Sequence, residues 1–558
     1  MTSKPSQHND LATGQTHEVF NQPGPLGEYN AYEQDLALRE ALHREGGGDF
    51  EDRVADFGAV VGGELMDLGF QAEINEPVLR TYDRFGHRID EVDFHPAYHR
   101  AMQLGIDAGI TSLTWTEGKG ARVARQALGY LAYQAEAGTQ CPMTMTHAAI
   151  PTLREQPEVA QLWEPLILAG RYDQRFVPME QKEGVTIGMA MTEKQGGSDV
   201  RANTTRAYPI GQPGPGEAYE LVGHKWFCSA PMSDAFLTLA QTDKGLTCFL
   251  LPRWRPDGTL NRFHIRRLKD KLGNHSNASS EVEYLGAWAV MVGEEGRGVA
   301  TIIRMVGETR LDCVLGSAAL IRQATTQAIH HCAGREAFGK LLIEQPLMKN
   351  VLADLALETE ASVALGMRLS RAYEEAESDR DAALFARIAT AVGKYWVCKR
   401  TPPAVNEAQE CLGGAGYVEE SIMPRLYREA PLNAIWEGSG NVQCLDVLRA
   451  MSREPETVDA LFAELATAKG ADKNLDRFVA KLKEEMGDHS KIQYRARRVV
   501  ERMALALQGT VLVKAGNKAV SDAFCASRLG DERGLMLGTL PPGLAVDELI
   551  ERAHPTSR

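Results

Sequence analysis

Hydrophobic positions recur at helical spacing in two long blocks, about residues 50–185 and 299–400, with a differently patterned stretch between them. Gly and Pro break the period repeatedly in the first block. In the second, proline is almost absent, as in long bundle helices. Between about 186 and 300 the apolar residues form short continuous or alternating runs, such as 235–240, 247–251 and 281–285, separated by Gly, Pro and Asn. Such runs predict strands. The pattern therefore predicts an α+β, mostly α, chain in five segments. These are a loosely structured N-terminal arm (1–48), a helical domain (49–186), a β-domain (187–300), a helical bundle domain (301–450) and a helical extension (451–558).

Within the extension, the stretch from Lys491 to Val511 has two faces. At 100° per residue, Lys491, Arg495, Arg498 and Arg502 fall within about 60° of one another, and Val500, Met503, Leu507 and Val511 occupy another stripe. This predicts an amphipathic helix packed on a neighbour with a solvated basic face. The same spacing would also let four cations follow a phosphate backbone.

Composition narrows the class. The chain has 558 residues, 44% of them hydrophobic and 24% charged, which suits a soluble globular protein of two to four domains. No run approaches the roughly 18 uncharged apolar residues that span a bilayer, and the polar N-terminus has no secretory core. Nine scattered cysteines without a CxxC pair point to a reduced cytoplasm. No metal is expected: His330, His331 and Cys332 are consecutive, and adjacent helical side chains diverge by about 100°. The net charge of −14 opposes nucleic-acid binding overall. It is unevenly spread, since residues 451–558 hold 17 Lys and Arg against 16 Asp and Glu. Residues 489–530 hold eight basic residues, Lys514 and Lys518 among them, against Glu501 and Asp522.

Candidate chemistry starts at Gly188–Val200, where a Thr hydroxyl (Thr192) precedes a Gly-Gly-Ser turn ending at Ser198. Two adjacent glycines expose backbone N–H groups, and Ser198 adds a hydroxyl, so the stretch can cradle a phosphate or serve as a plain loop. Four further constellations follow in order: Gly223-His-Lys-Trp-Phe-Cys-Ser229, Arg335-Glu-Ala-Phe-Gly-Lys340, Glu410-Cys-Leu-Gly-Gly-Ala-Gly-Tyr417 and Ile435-Trp-Glu-Gly-Ser-Gly-Asn441. In this order and spacing the chain resembles the acyl-CoA dehydrogenase family over about residues 60–450. The spellings around Thr192, Pro424–Pro431 and Glu437, with His17–Pro23 and some 100 extra C-terminal residues, look like its AidB branch, flavoproteins of the bacterial response to DNA alkylation.

The resemblance implies that family's fold, an FAD cofactor and a homotetramer, with an acyl-CoA as substrate. Glu437 stands at the family's catalytic-base position. The alternative base position, just before Arg310, is held here by Thr309, which cannot serve. By the same resemblance Thr192 and Ser198 would bind flavin ring and pyrophosphate. Phe227 replaces the usual Trp against the ring, and Ser229 the usual Thr at its N5 edge. Trp226, displaced by one position, is expected in the core. Arg335 and Phe338 would reach the cofactor of a neighbouring subunit. Gly413 and Gly414 allow close backbone approach, and Trp436, Gly438, Ser439 and Asn441 complete the cofactor-facing set. Trp436 in place of Tyr would narrow the acyl pocket towards short branched chains, and Arg449 is expected at the surface. On this reading Lys491, Arg495, Arg498, Arg502, Lys514 and Lys518 would meet double-stranded DNA without strong sequence specificity. Two alternatives remain: a purely metabolic dehydrogenase whose extension serves assembly, and a flavin-bound scaffold without turnover.

Overall fold

A computed structural model of the protein describes residues 16–531 and 534–555. The first fifteen residues of the expected arm lie outside that range. The rest of that arm is not uniformly loose. From Tyr29 it enters the core, with Tyr29, Ala31 and Tyr32 buried, and forms α1 (Leu36–Arg44), whose N-terminus Asp35 caps by accepting from the Leu38 amide.

The first helical domain holds α2 (Glu51–Val60), α3 (Met66–Ile74), α4 (Pro96–Ala108), α5 (Leu113–Thr116), α6 (Ala121–Ala135), α7 (Gln140–Leu153) and α8 (Pro157–Ile167). An antiparallel hairpin, β1 (Val78–Tyr82) with β2 (Arg88–Asp93), interrupts this segment, whose pattern is mainly helical. Then come β3 (Ile187–Ala190), β4 (Arg206–Pro209), β5 (Ala218–Ser229), β6 (Ala235–Thr242), β7 (Gly245–Pro252), β8 (Phe263–Leu268) and β9 (Ser279–Val292). Their order is β3-β6-β4-β5-β9-β7, with β8 on β9 and a further β6–β7 pairing that returns the path on itself. The runs 235–240 and 247–251 are buried on both faces, which is why they read as continuous rather than alternating.

Three long helices, α9 (Gly298–Gly334), α10 (Pro346–Glu375) and α11 (Arg380–Cys411), form the bundle with α12 (Met423–Glu429) and α13 (Gly440–Arg453). Pro346 opens α10, where a missing N–H costs nothing, and Asp379 caps α11 through the Asp381 and Ala382 amides.

The extension, α14 (Glu456–Ala466), α15 (Lys473–Gly487), α16 (Ile492–Ala515), α17 (Lys518–Phe524) and α18 (Val546–Ala553), shares the bundle's core. Val499, Val500, Met503 and Leu507 pack into the same apolar cluster as Val314 and Val392. Lys491 departs from expectation. With φ of +50° it precedes α16, so only Arg495, Arg498 and Arg502 share the basic face.

Candidate active site

Glu437 lies between a 3-10 turn (Leu432–Ala434) and α13, with φ of +58°. A non-glycine residue in that region costs about 1–3 kcal/mol and persists only where its surroundings hold it. Here side chains take the carbonyl oxygens of three consecutive residues. Lys394 Nζ on α11 donates to the Trp436 and Gly438 carbonyls, each at 2.6 Å. Arg310 Nε on α9 and Gln443 Nε2 on α13 donate to the Glu437 carbonyl at 3.1 and 2.9 Å. Gly438 follows at φ +94°, where a side chain is strained, and a Cβ there would sit 2.7 Å from Gln443 Nε2 and push that amide off its carbonyls.

The Glu437 carboxylate accepts from the Thr309 hydroxyl at 2.8 Å. Burial pushes its pKa up, and the Thr309 bond with the charges of Lys394 and Arg310 restrains the rise. A raised carboxyl suits a base working near neutral pH. Arg310 is held in turn by Asp446 at 2.8 Å, which Arg387 also contacts at 3.0 Å. Arg449 is exposed.

Cys141 on α7 brings the end of β5 to the same place: its thiol feels the Glu437 charge and lies 3.2 Å from Ser229 Oγ. Ser229 Oγ also accepts from Asn277 Nδ2 at 2.8 Å. The Thr192 carbonyl accepts from the Trp226 amide at 2.8 Å, tying the Gly-Gly-Ser loop to β5. A Cβ on Gly197 would fall 2.4 Å from Thr192 Oγ1, so only glycine lets the turn close over that hydroxyl. Ser198 is exposed on the loop.

Phe227 turns a ring 51% exposed towards solvent, with Lys269 Nζ 4.6 Å above it. Trp226 is not in the core as expected. It is half-buried on the sheet surface beneath Lys269 (3.3 Å), Lys194 and Arg267, because residue 225 takes the inward position with Lys225 ion-paired to Glu193. Trp436 is half-buried against the apolar cluster containing Met145 and Met305, its indole N–H donating to Asn433 at 2.7 Å. Ser439 precedes α13 without capping it by its side chain, and Asn441 accepts from Arg497 of the extension at 2.8 Å.

Arg335, Phe338, Gly413 and Gly414 lie elsewhere. Arg335 is 26 residues beyond Thr309 on or just past α9, which at 1.5 Å per residue is about 39 Å away. Gly413 and Gly414 follow α11 at the same end, where Cys332 Sγ lies 4.0 Å from the Cys411 carbonyl. Phe338 is fully exposed at the tip of a short hairpin, Glu336–Ala337 with Lys340–Leu341. The expected residues thus fall into two groups at opposite ends of the bundle.

The residues fit an FAD. Phe227 offers a flat apolar face, Ser229 a hydroxyl at its margin, and the Gly197 turn a close backbone beside Thr192. Gly413 and Gly414 leave open space where a Cβ would stand, near the Arg335 cation. Lys394 and Gln443 were not singled out by sequence reasoning; a lysine inside the mostly apolar run 388–398 is the signal that could have found the first.

Comparison with known proteins decides the family. The AidB N-terminal domain family (adaptive response protein AidB) matches residues 21–174, the acyl-CoA dehydrogenase middle domain 188–286, and the acyl-CoA dehydrogenase C-terminal domain 296–452. The Escherichia coli (strain K12) protein AidB is 46% identical over 527 residues, covering 94% of this chain and 96% of its own. The chain belongs to the AidB branch of the acyl-CoA dehydrogenase family. Two solved structures share the fold over nearly their whole lengths. Caenorhabditis elegans ACDH-11 in complex with C11-CoA superposes with a TM-score of 0.83 at 28% identity, covering 99% of this chain and 95% of that one. Bd2924 in its apo-form gives 0.81 at 29%, covering 89% and 100%. Members of the acyl-CoA dehydrogenase family are FAD-dependent flavoproteins, and this AidB-branch chain is an oxidoreductase of that type. No helix among the described residues is long and apolar enough to cross a membrane.

Proposed function

We propose that this AidB-branch protein oxidises an acyl-CoA between Cα and Cβ, with Glu437 removing the α-proton. The observation carrying this is the carboxylate itself: half-buried, raised in pKa, fixed by a strained turn and hydrogen-bonded by Thr309. Bound FAD supplies the acceptor for the β-hydride. Thr192, Ser198, Phe227 and Ser229 hold the cofactor from the β-domain, and Trp436, Gly438, Ser439 and Asn441 from the base's side. The Thr309 bond aims the carboxylate while Arg310 and Gln443 keep its backbone still. Trp436, braced by Asn433, narrows the space beside the base and favours short branched acyl groups over long straight ones. That ACDH-11 was solved with C11-CoA supports a CoA thioester as the substrate class.

Arg335, Phe338, Gly413 and Gly414 cannot serve the same cofactor within one chain, at about 39 Å from the base. They serve the site of a second subunit, which calls for at least two copies of the chain, and the family resemblance extends this to a homotetramer. The likeness to AidB, described as an adaptive response protein, supports a role in the alkylation response with the extension resting on duplex DNA. Arg498, exposed on α16, and Lys491 before it are the cations best placed for phosphate contact.

Reduction of the flavin by isovaleryl-CoA under anaerobic conditions tests the base. Glu437→Gln keeps the shape and removes the basicity, so the rate should fall about a hundredfold or more. An unchanged rate excludes Glu437, and a parent flavin that no acyl-CoA bleaches leaves the scaffold alternative standing.

A further inference from the structure

Lys394 is among the largest fully buried side chains and forms no ion pair among the described residues. Burying an ammonium is costly unless it is hydrogen-bonded and its charge answered. Its hydrogen bonds go to the two carbonyls flanking Glu437 along the chain, Trp436 and Gly438, at 2.6 Å each. Both bonds bear on Glu437, a non-glycine residue held in the left-handed region at φ +58°. Among the described residues no other side chain bonds both flanks, since Gln443 reaches the Glu437 and Gly438 carbonyls and Arg310 the Glu437 carbonyl alone. The ammonium's charge, met by no ion-paired carboxylate among the described residues, acts on Glu437 and restrains its rise in pKa.

We infer that Lys394 is the positioning residue of the base, gripping the turn on both sides of Glu437 and leaving a positive charge behind its carboxylate. This rests on Glu437 being the base. The other groups facing that carboxylate are Thr309, Arg310 and Cys313 on α9 and Cys141 on α7. Arg310 is already neutralised by Asp446, which leaves Lys394 as the cation whose loss Glu437 would feel most.

Lys394→Met removes grip and charge, Lys394→Gln removes the charge and keeps one donor group, and Lys394→Arg keeps the charge. Flavin reduction by isovaleryl-CoA, followed from pH 6 to 9 in FAD-loaded protein, reads the effect. The active form of Glu437 is the anion, so the rate rises with pH through its pKa. Without the Lys394 charge the protonated form is favoured, and the midpoint moves to higher pH. For Lys394→Met the expectation is a rate at least tenfold lower at pH 7, a midpoint raised by half a unit or more, little change in KM, and flavin content as in the parent. Lys394→Arg should keep the parent midpoint. A Lys394→Met protein that is slower or less stable with an unshifted midpoint reveals a merely structural lysine and overturns the inference, as does an unchanged protein. If Lys394→Met does not fold, Lys394→Gln is read in its place by the same criteria. Glu437→Gln separates the two claims. If it reduces flavin normally, the base assignment fails and takes this inference with it; if it is inactive while the Lys394 variants keep the parent midpoint, this inference alone fails.

Discussion

At the scale of single residues, burial where elements of different domains meet raises the proton affinity of one carboxyl, that of Glu429. Glu429, at the end of α12, is buried against Glu73 of α3 and hydrogen-bonded by Asn274 of the β-domain at 3.0 Å. Burial, then the Glu73 charge, pushes its pKa up to about 7. A carboxyl whose folded pKa exceeds its unfolded value holds its proton better when folded. Its contribution to stability is full below about pH 4.5 and is lost as pH rises through about 7. Glu429→Gln, neutral at every pH, should lose that dependence and gain roughly a few degrees in Tm at pH 8 while changing little at pH 5. Parallel melting curves for parent and variant across that range would refute it. The sequence did not show this group, because burial and a second carboxylate from a distant helix create it. Glu437, by contrast, was legible, since its small neighbours and its place in the motif order travel together along the chain.

At the scale of elements, legibility followed burial pattern. The continuous runs of β6 and β7 and the long period of α9 to α11 were visible because each buries apolar side chains regularly. The β1–β2 hairpin escaped because β1 alternates between exposed and half-buried positions and carries no apolar face. The arm escaped in part for a different reason: what orders its middle is a side chain bonding to distant backbone. Asn21 Oδ1 accepts from the Glu336 amide at 2.7 Å, and Asn21 Nδ2 donates to the Glu336 carbonyl at 2.9 Å. Its own carbonyl accepts from Arg335. His330 bonds the Gly24 carbonyl at 2.9 Å, so the arm is laid along the end of α9. If Arg335 and Phe338 serve a second subunit's cofactor, loosening Asn21 should weaken FAD binding without touching the base. Asn21→Ala removes two net hydrogen bonds of about 1 kcal/mol each, enough for a roughly tenfold or greater loss of FAD affinity. Fluorescence of flavin released on dilution measures it. Unchanged release, with the Tm of the apoprotein also unchanged, would separate the arm from the cofactor.

For the whole molecule, the extension decides whether charge can bring a protein of net −14 to DNA. It is not a detachable module, since α16 and α18 bury Val499, Leu507 and Leu549 in the bundle, and Arg552 near the C-terminus ties Glu40 to Glu360. Deleting it would open the core, so point substitutions are the sound test. Most of its expected cations are already engaged: Arg498 and Arg502 with Glu485, Arg495 with Asp488, Lys514 with Glu464, and Lys518 with Asp522. Arg498 and Lys518 are exposed in their pairs, and exposed pairs contribute about 0–1 kcal/mol, so a phosphate can displace the carboxylate there, but the carboxylate's repulsion stays. Glu485 is therefore the lever, because one substitution frees two arginines. Anisotropy of a labelled duplex across roughly 50–200 mM salt reads phosphate contacts as a slope of about −0.9 each in log K against log salt. Glu485→Gln should bind more tightly and steepen that slope, while Arg498→Ala with Arg502→Ala should make it shallower by about two contacts. If neither change moves the slope, DNA does not sit on α16, and the extension serves assembly instead.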